Sequence, residues 1–252
     1  MDGNYRAYSY TASSQRIAGI LDQPAGQFEE VNALPDPDRL TYSNGFYGRC
    51  SAVFVDIRDS SKLPSRYKRP RLAKQYRSFI SEMVSVLNGY VFVREVSIVG
   101  DCVWATYNTP YTSNIDEVFS VAAEANTLRI LLNKHLEKHD YEPLRLGIGA
   151  DWGRVLMIKA GANGSGISDV VYMGDVVNSA ARLAHKAGRL WGNPIWVGSD
   201  FYGNLNEHNQ ELCTQQYDQD LASVYTSTAV LTGMNSWIDE QSTRPNAYCP
   251  EV

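Results

Sequence analysis

The segment that most restricts this chain is Ala52-Val53-Phe54-Val55-Asp56-Ile57-Arg58-Asp59-Ser60-Ser61. Its four leading apolar residues, rich in β-branched and aromatic types, read as a buried strand. The strand ends on a carboxylate and runs into a polar Arg-Asp-Ser-Ser turn, so Asp56 stands where a central strand leaves the core. A turn that enters a helix presents free N–H groups and hydroxyls suited to a phosphate, which marks Asp59, Ser60 and Ser61 as candidate substrate contacts. Taken alone, an Asp at such a place serves as a turn or cap residue as often as it binds a metal.

The 252 residues allow one large domain or two small ones, with enough apolar content for a sizeable core. A formal net charge of -5 argues against nucleic acid as a partner. A polyanionic substrate would then need a metal ion or a basic pocket. Cys50, Cys102, Cys213 and Cys249 show neither close pairing nor metal-ligand spacing, which suits a reducing cytoplasm. The opening Met-Asp-Gly-Asn-Tyr-Arg has no apolar signal core and no run is long enough to span a bilayer, so no membrane partner is expected.

Residues 1–45 lack periodicity and read as an N-terminal arm with one short helix from Ser14 to Leu21, packing on the domain or on a second subunit. After Ser61 comes a basic run, Lys62, Arg66, Lys68, Arg69, Arg71, Lys74 and Arg77, read first as a solvated helix face and second as a polyphosphate attractor. Leu72, Tyr76, Phe79, Ile80, Met83, Val84 and Leu87 recur at helical spacing up to Asn88-Gly89. Two strands flanking Gly100-Asp101 predict a β-hairpin with Asp101 at its tip. Ile115 to His139 reads as a long amphipathic helix; His135 and His139 have zinc-like spacing but no acidic or Cys partner. Leu144–Ala150 and Arg154–Ile158 read as a strand pair joined through Asp151-Trp152-Gly153, followed by a flexible Gly/Ser loop over 161–168. A strand over 170–175 leads into a helix on which Asn178 and Arg182 lie one turn apart, placed to address a sugar oxygen and a phosphate oxygen together. Pro194–Ser199 is a further strand, and the 222–231 stretch is open between strand and helix.

Four of these segments, in this order, resemble the class III nucleotidyl cyclase catalytic domain: Asp56-Ile57, Gly100-Asp101, Gly147 to Val155, and Gly174-Asp175-Val176-Val177-Asn178-Ser179-Ala180-Ala181-Arg182-Leu183. The resemblance covers roughly Arg49 to Ser199. It implies an α+β fold with a ferredoxin-like βαββαβ core, working as a head-to-tail homodimer. The expected organisation is an arm over 1–45, a catalytic domain over 46–204 and a C-terminal extension over 205–252 that packs on the domain. The resemblance makes Asp56, Asp101 and the carbonyl of Ile57 ligands for two divalent ions, Mn²⁺ or Mg²⁺. It assigns Asn178 to the ribose and Arg182 to the pentacovalent α-phosphate of a nucleoside triphosphate, across the dimer from the metal carboxylates.

The base-reading positions depart from the family. Ser97 stands where adenylyl cyclases carry Lys and guanylyl cyclases Glu, and Val171 stands where Asp, Thr or Cys is usual. Little purine readout is left. The Lys that usually holds the triphosphate has no counterpart after Ser199, leaving the basic run or Lys186 to substitute. These departures resemble the bacterial pyrimidine cyclases of Pycsar anti-phage defence, which make cyclic UMP or cyclic CMP for a separate effector protein. UTP is expected as substrate ahead of CTP, with Tyr47 or Phe46 stacking on or crowding the base. The alternatives are an adenylyl cyclase with atypical base recognition and a regulatory pseudo-cyclase; retention of Asp56, Asp101, Asn178 and Arg182 weighs against the latter.

Overall fold

The computed structural model describes residues 3, 5–24, 28–189 and 192–243. In chain order the elements are α1 (Tyr10–Leu21), β1 (Phe28–Glu30), β2 (Gly45–Ile57), α2 (Leu63–Arg66), α3 (Arg69–Leu87), β3 (Val93–Val99), β4 (Cys102–Asn108), α4 (Thr112–Lys138), β5 (Leu146–Ala162), β6 (Ile167–Met173), α5 (Asp175–Lys186), β7 (Ile195–Val197), α6 (Ser199–Gly203), α7 (Glu207–Glu211), β8 (Thr214–Asp218), β9 (Ala222–Ser227) and α8 (Thr232–Thr243).

One twisted sheet organises them, in the order β3-β4-β2-β5-β7-β9-β8, with β1 paired to β2 and β6 to β5. Within it the run β2-α3-β3-β4-α4-β5 has the spatial order β3-β4-β2-β5, the split βαβ arrangement expected of a ferredoxin-like core. Alternation along β2 divides its side chains between two faces. Val53, Val55 and Ile57 point into the larger core, closed by Phe79, Met83 and Leu87 of α3 and by the apolar stripe of α4. Burying each of those three α3 side chains stabilises the fold by about 1.5–3 kcal/mol. Cys50 and Ala52 face the other side, where α5 seals a smaller core through Val176 and Ala180, joined by Leu34 and Leu40 from ahead of β2.

The helix periodicities and the Gly100-Asp101 hairpin are observed; Val99 pairs with Cys102 across a two-residue turn. Two readings change. The expected strand pair over 144–158 is a single strand, β5, running unbroken from Leu146 to Ala162. Asp151, Trp152 and Gly153 stay extended because they pair with Ala52, Ser51 and Cys50 of β2, and the long partner strand overrides their turn character. The same extension shortens the expected flexible loop to the turn of the β5–β6 hairpin. The ambiguous 222–231 stretch contains strand β9, paired to both β7 and β8. Cys50, Cys102 and Cys213 are free thiols; Cys249 lies outside the described residues. Among the described residues no helix is long and apolar enough to cross a membrane.

Candidate active site

The β2–β4 register sets Asp56 opposite Cys102, so Asp101 at the hairpin tip is the next residue along. The two carboxyl groups stand in hydrogen-bonding contact. Burial pushes Asp56 up to about 6; the neighbouring Asp101 adds to the rise and Arg58 opposes it. Arg58 is almost wholly buried, with a side chain 4% exposed. It donates to the Asp56 carboxylate and, through Nη1, to the His185 carbonyl at 2.6 Å. Two crowded carboxyls at the mouth of a strand are unfavourable for each other and favourable for a small divalent cation. Ile57, whose side chain is buried, closes the same strand end with its backbone. Among the described residues no third His, Cys, Asp or Glu joins a metal-sized group. Two carboxylates, a carbonyl and substrate phosphate oxygens form the donor set that Mg²⁺-type ions take, so the residues present fit the metal.

Asn178 and Arg182 are carried on α5, which lies against β5 because Gly149 has no side chain. A Cβ there would sit 2.1 Å from the Ala184 nitrogen and 2.2 Å from the Ala180 carbonyl oxygen. The helix buries Val176, Ala180, Leu183 and Ala184 and leaves Asn178 and Arg182 exposed. Arg182 donates to the Asp220 carbonyl at 2.7 Å, in the turn between β8 and β9. One turn on, Lys186 pairs with Asp218 at 3.2 Å and also with Asp220. The side of α5 that reaches Asp56 carries the His185 carbonyl, held through Arg58, with Arg189 just beyond the helix. Within one chain, then, the two carboxylates are brought together, whereas Asn178 and Arg182 form a separate outward-facing pair.

A buried carboxylate fixes that helix. Asp151 on β5 accepts from Ser179 of α5, from the Trp152 backbone N–H at 2.9 Å and from the Phe201 backbone N–H in α6. Burial pushes it up to about 6 against those hydrogen bonds. Its role was hidden in the sequence by the turn-like Asp-Trp-Gly setting.

Phe54, Trp104 and Ser97 lie opposite one another across β2, β4 and β3, two residues from Asp56 along β2 and on the same face. The Phe54 and Trp104 rings stack at 4.9 Å with 4° between planes. In the next row Glu95, half-buried, accepts from the Ser97 hydroxyl at 3.2 Å, and burial pushes its carboxyl up. Glu95 was missed, although the two-residue period of β3 puts it on Ser97's face. Val171 of β6 pairs with Ile158 of β5 and points away from Tyr172, which packs in the smaller core. Tyr47 lies nine residues before Asp56 on β2, about 30 Å along the strand. There it rests against Phe28 and under Arg154.

Asp59 is consumed locally: it adopts a left-handed conformation with φ 58° and pairs with Lys62 at 2.9 Å and with Arg145. Those cations hold its carboxyl below the usual range. Ser60 and Ser61 form the short 3-10 turn that follows. Three of the seven residues of the basic run are committed to structure: Lys62 on Asp59, Arg66 on Glu142, and Arg71 on the His139 and Asp140 carbonyls and the Tyr141 ring. His139 donates through Nδ1 to the His135 carbonyl of its own helix at 2.8 Å.

The sequence profile of the family described as Adenylate and Guanylate cyclase catalytic domain matches residues 43–220, more than two thirds of the chain. The chain belongs to this family and is a class III nucleotidyl cyclase domain. Such domains are generally metal-dependent. Among curated proteins it is 36% identical over 234 residues to a "Uridylate cyclase" of Treponema porcinum, covering 92% of this chain and 82% of that protein. It is 34% identical over 257 residues to a "Uridylate cyclase" of Gulbenkiania mobilis, covering 95% and 99%. A "Cytidylate cyclase" of Staphylococcus aureus is 24% identical over 211 residues, covering 79% and 47%. Among solved structures, a bacterial light-regulated adenylyl cyclase superposes with a TM-score of 0.63 at 20% identity, over 79% of this chain and 56% of that one. The guanylyl cyclase Cya2 superposes with a TM-score of 0.61 at 13% identity, over 74% and 95%. These likenesses establish the α+β cyclase fold.

Proposed function

We propose that the chain converts a pyrimidine nucleoside triphosphate, UTP ahead of CTP, to its 3′,5′-cyclic monophosphate and pyrophosphate. The observation that carries this reading is the contact between Asp56 and Asp101 at the mouth of the central strands, in a chain whose relatives at 36% and 34% identity are named uridylate cyclases. The 3′-oxygen forms a bond to the α-phosphorus, the bond from that phosphorus to the bridging oxygen of pyrophosphate breaks, and the hydroxyl proton is released. Two divalent ions, Mn²⁺ or Mg²⁺, supply Lewis acidity toward the hydroxyl and the leaving polyphosphate. Asp56, Asp101 and the Ile57 carbonyl hold them.

Asn178 orients the ribose, and Arg182 meets charge that grows on the α-phosphate only as the transition state forms. Because Asn178 and Arg182 face outward, away from their own chain's carboxylates, they serve the carboxylates of a second copy in a homodimer with two equivalent sites. Arg182 leaves the Asp220 carbonyl to do so, and Lys186 takes the place of the missing triphosphate Lys. Ser97, with Glu95 beside it, meets the base edge on a wall formed by Trp104 and Phe54. Residues 46–204 form the catalytic domain in this reading, flanked by the arm and the extension. The product, as in the anti-phage systems that the sequence resembles, acts on a separate effector in the bacterial cytoplasm.

The test is product analysis after incubating the purified chain with equimolar ATP, GTP, CTP and UTP and Mn²⁺. Cyclic UMP as the main product is expected. Cyclic AMP alone would replace the pyrimidine reading with that of an atypical adenylyl cyclase, and no cyclic product with any nucleotide would leave a pseudo-cyclase.

A further inference from the structure

A cavity of about 600 Å³ opens between α4, the segment following β2 and the start of β5. None of Asp56, Asp101, Asn178 or Arg182 lines it. Four arginines do, and two of them are neutralised in place: Arg66 by Glu142 and Arg145 by Asp59. Of the other two, Arg129 has no acidic partner among the described residues and Arg58 is paired with Asp56. Arg129 of α4 donates through Nε to the side-chain Oδ1 of Asn126 at 3.1 Å, and its terminal nitrogens have no partner among the described residues. Arg58, with its side chain 4% exposed, leaves Nε buried and without a partner. Burial lowers the pKa of Arg129, which bears the cost of an incompletely compensated charge. Buried donors are ordinarily satisfied, and those left over call for a ligand or water. Leu63, Leu144, Leu146 and Pro194 give the cavity its apolar side. Its size is that of a small-molecule site, and its lining is half charged or polar and half apolar or glycine.

We propose that this cavity binds an organic phosphate monoester, its phosphate taken by the guanidiniums of Arg129 and Arg58 and its apolar part by Leu63 and Leu146. Arginine forks suit phosphate oxygens, and two of them with free donors bordering one cavity set the ligand's charge. Arg58 is shared with Asp56, so the anion and the Asp56 carboxylate draw on one guanidinium and weaken each other's hold on it.

Isothermal titration of the full-length, metal-free chain with phenyl phosphate tests this and reads no turnover, so it stands apart from the cyclase assignment. The wild type is expected to bind one phenyl phosphate per chain, more tightly than inorganic phosphate. Arg129→Ala should weaken binding at least tenfold and Arg182→Ala should change it less than twofold. Asp56→Asn, which frees Arg58, should tighten it about threefold. If Arg129→Ala does not fold, Arg129→Gln removes the charge while keeping an amide for Asn126, and the same loss is expected. No binding by the wild type, or binding lost in Arg182→Ala and kept in Arg129→Ala, overturns the site. Unchanged affinity in Asp56→Asn overturns the sharing of Arg58.

Discussion

Asp56 is asked to ionise in a place that resists it, and replacing it by Asn should therefore make the metal-free protein more stable while destroying catalysis. Its carboxyl is raised from 3.8 to about 6 by burial and by Asp101, in spite of Arg58. A rise of about two pKa units corresponds to roughly 3 kcal/mol between the two protonation states. The side chain is 28% exposed and solvent screens part of this, so about 1–2 kcal/mol is the working figure. The folded state holds this proton more firmly than the unfolded chain does, so Asp56 costs stability as pH rises from about 4 through 6 and costs most above 6. Asn, which resembles the protonated acid, is spared that cost. At pH 7.5 without metal, Asp56→Asn should melt roughly 2–6 °C above wild type, with the gap closing near pH 4. Mn²⁺ should reverse the order, because a ligand that binds the folded wild type stabilises it by mass action and the variant has lost half its carboxylate pair. Melting curves by calorimetry at pH 4, 6 and 7.5, with and without Mn²⁺, give the answer. A variant less stable than wild type at pH 7.5 without metal, or stabilised equally by Mn²⁺, refutes the reasoning.

Arg182→Ala should lower kcat by about 10²–10³-fold with KM changed only a few-fold, since the guanidinium meets charge absent from the ground state; steady-state kinetics on UTP checks it. Gly149→Ala should cost about 2–3 kcal/mol or more and reduce activity with it, because the added methyl group meets the backbone of α5 at Ala180 and Ala184 and not a flexible side chain. Chemical denaturation measures the first and turnover the second.

Much of the candidate site was legible because its signals are local. The β2 run ends on a carboxylate, the Gly-Asp hairpin is short enough to fix its own register, and the α5 motif carries Asn178 and Arg182 at one-turn spacing. What escaped depends on partners distant in sequence. Asp-Trp-Gly at 151–153 reads as a turn until β2 is laid beside it, after which Asp151 becomes the acceptor that ties α5 and α6 to the sheet. Arg58 reads as a polar turn residue, and only the close packing of Gly147 and Gly188 around it makes it a buried cation between Asp56 and α5. Glu95 was legible in principle from the alternation of β3, which sets it on the face of Ser97, but a lone acid on a strand carries no signal of its own.

The proposed reaction requires above all a site completed by two copies of the chain. Asp56→Ala and Arg182→Ala, each inactive alone, should recover about a quarter of wild-type activity when mixed in equal amounts under conditions that exchange subunits, since half the dimers are mixed and each mixed dimer has one intact site. Activity in the mixture no greater than the sum of the two variants, with both folded and dimeric, would contradict it.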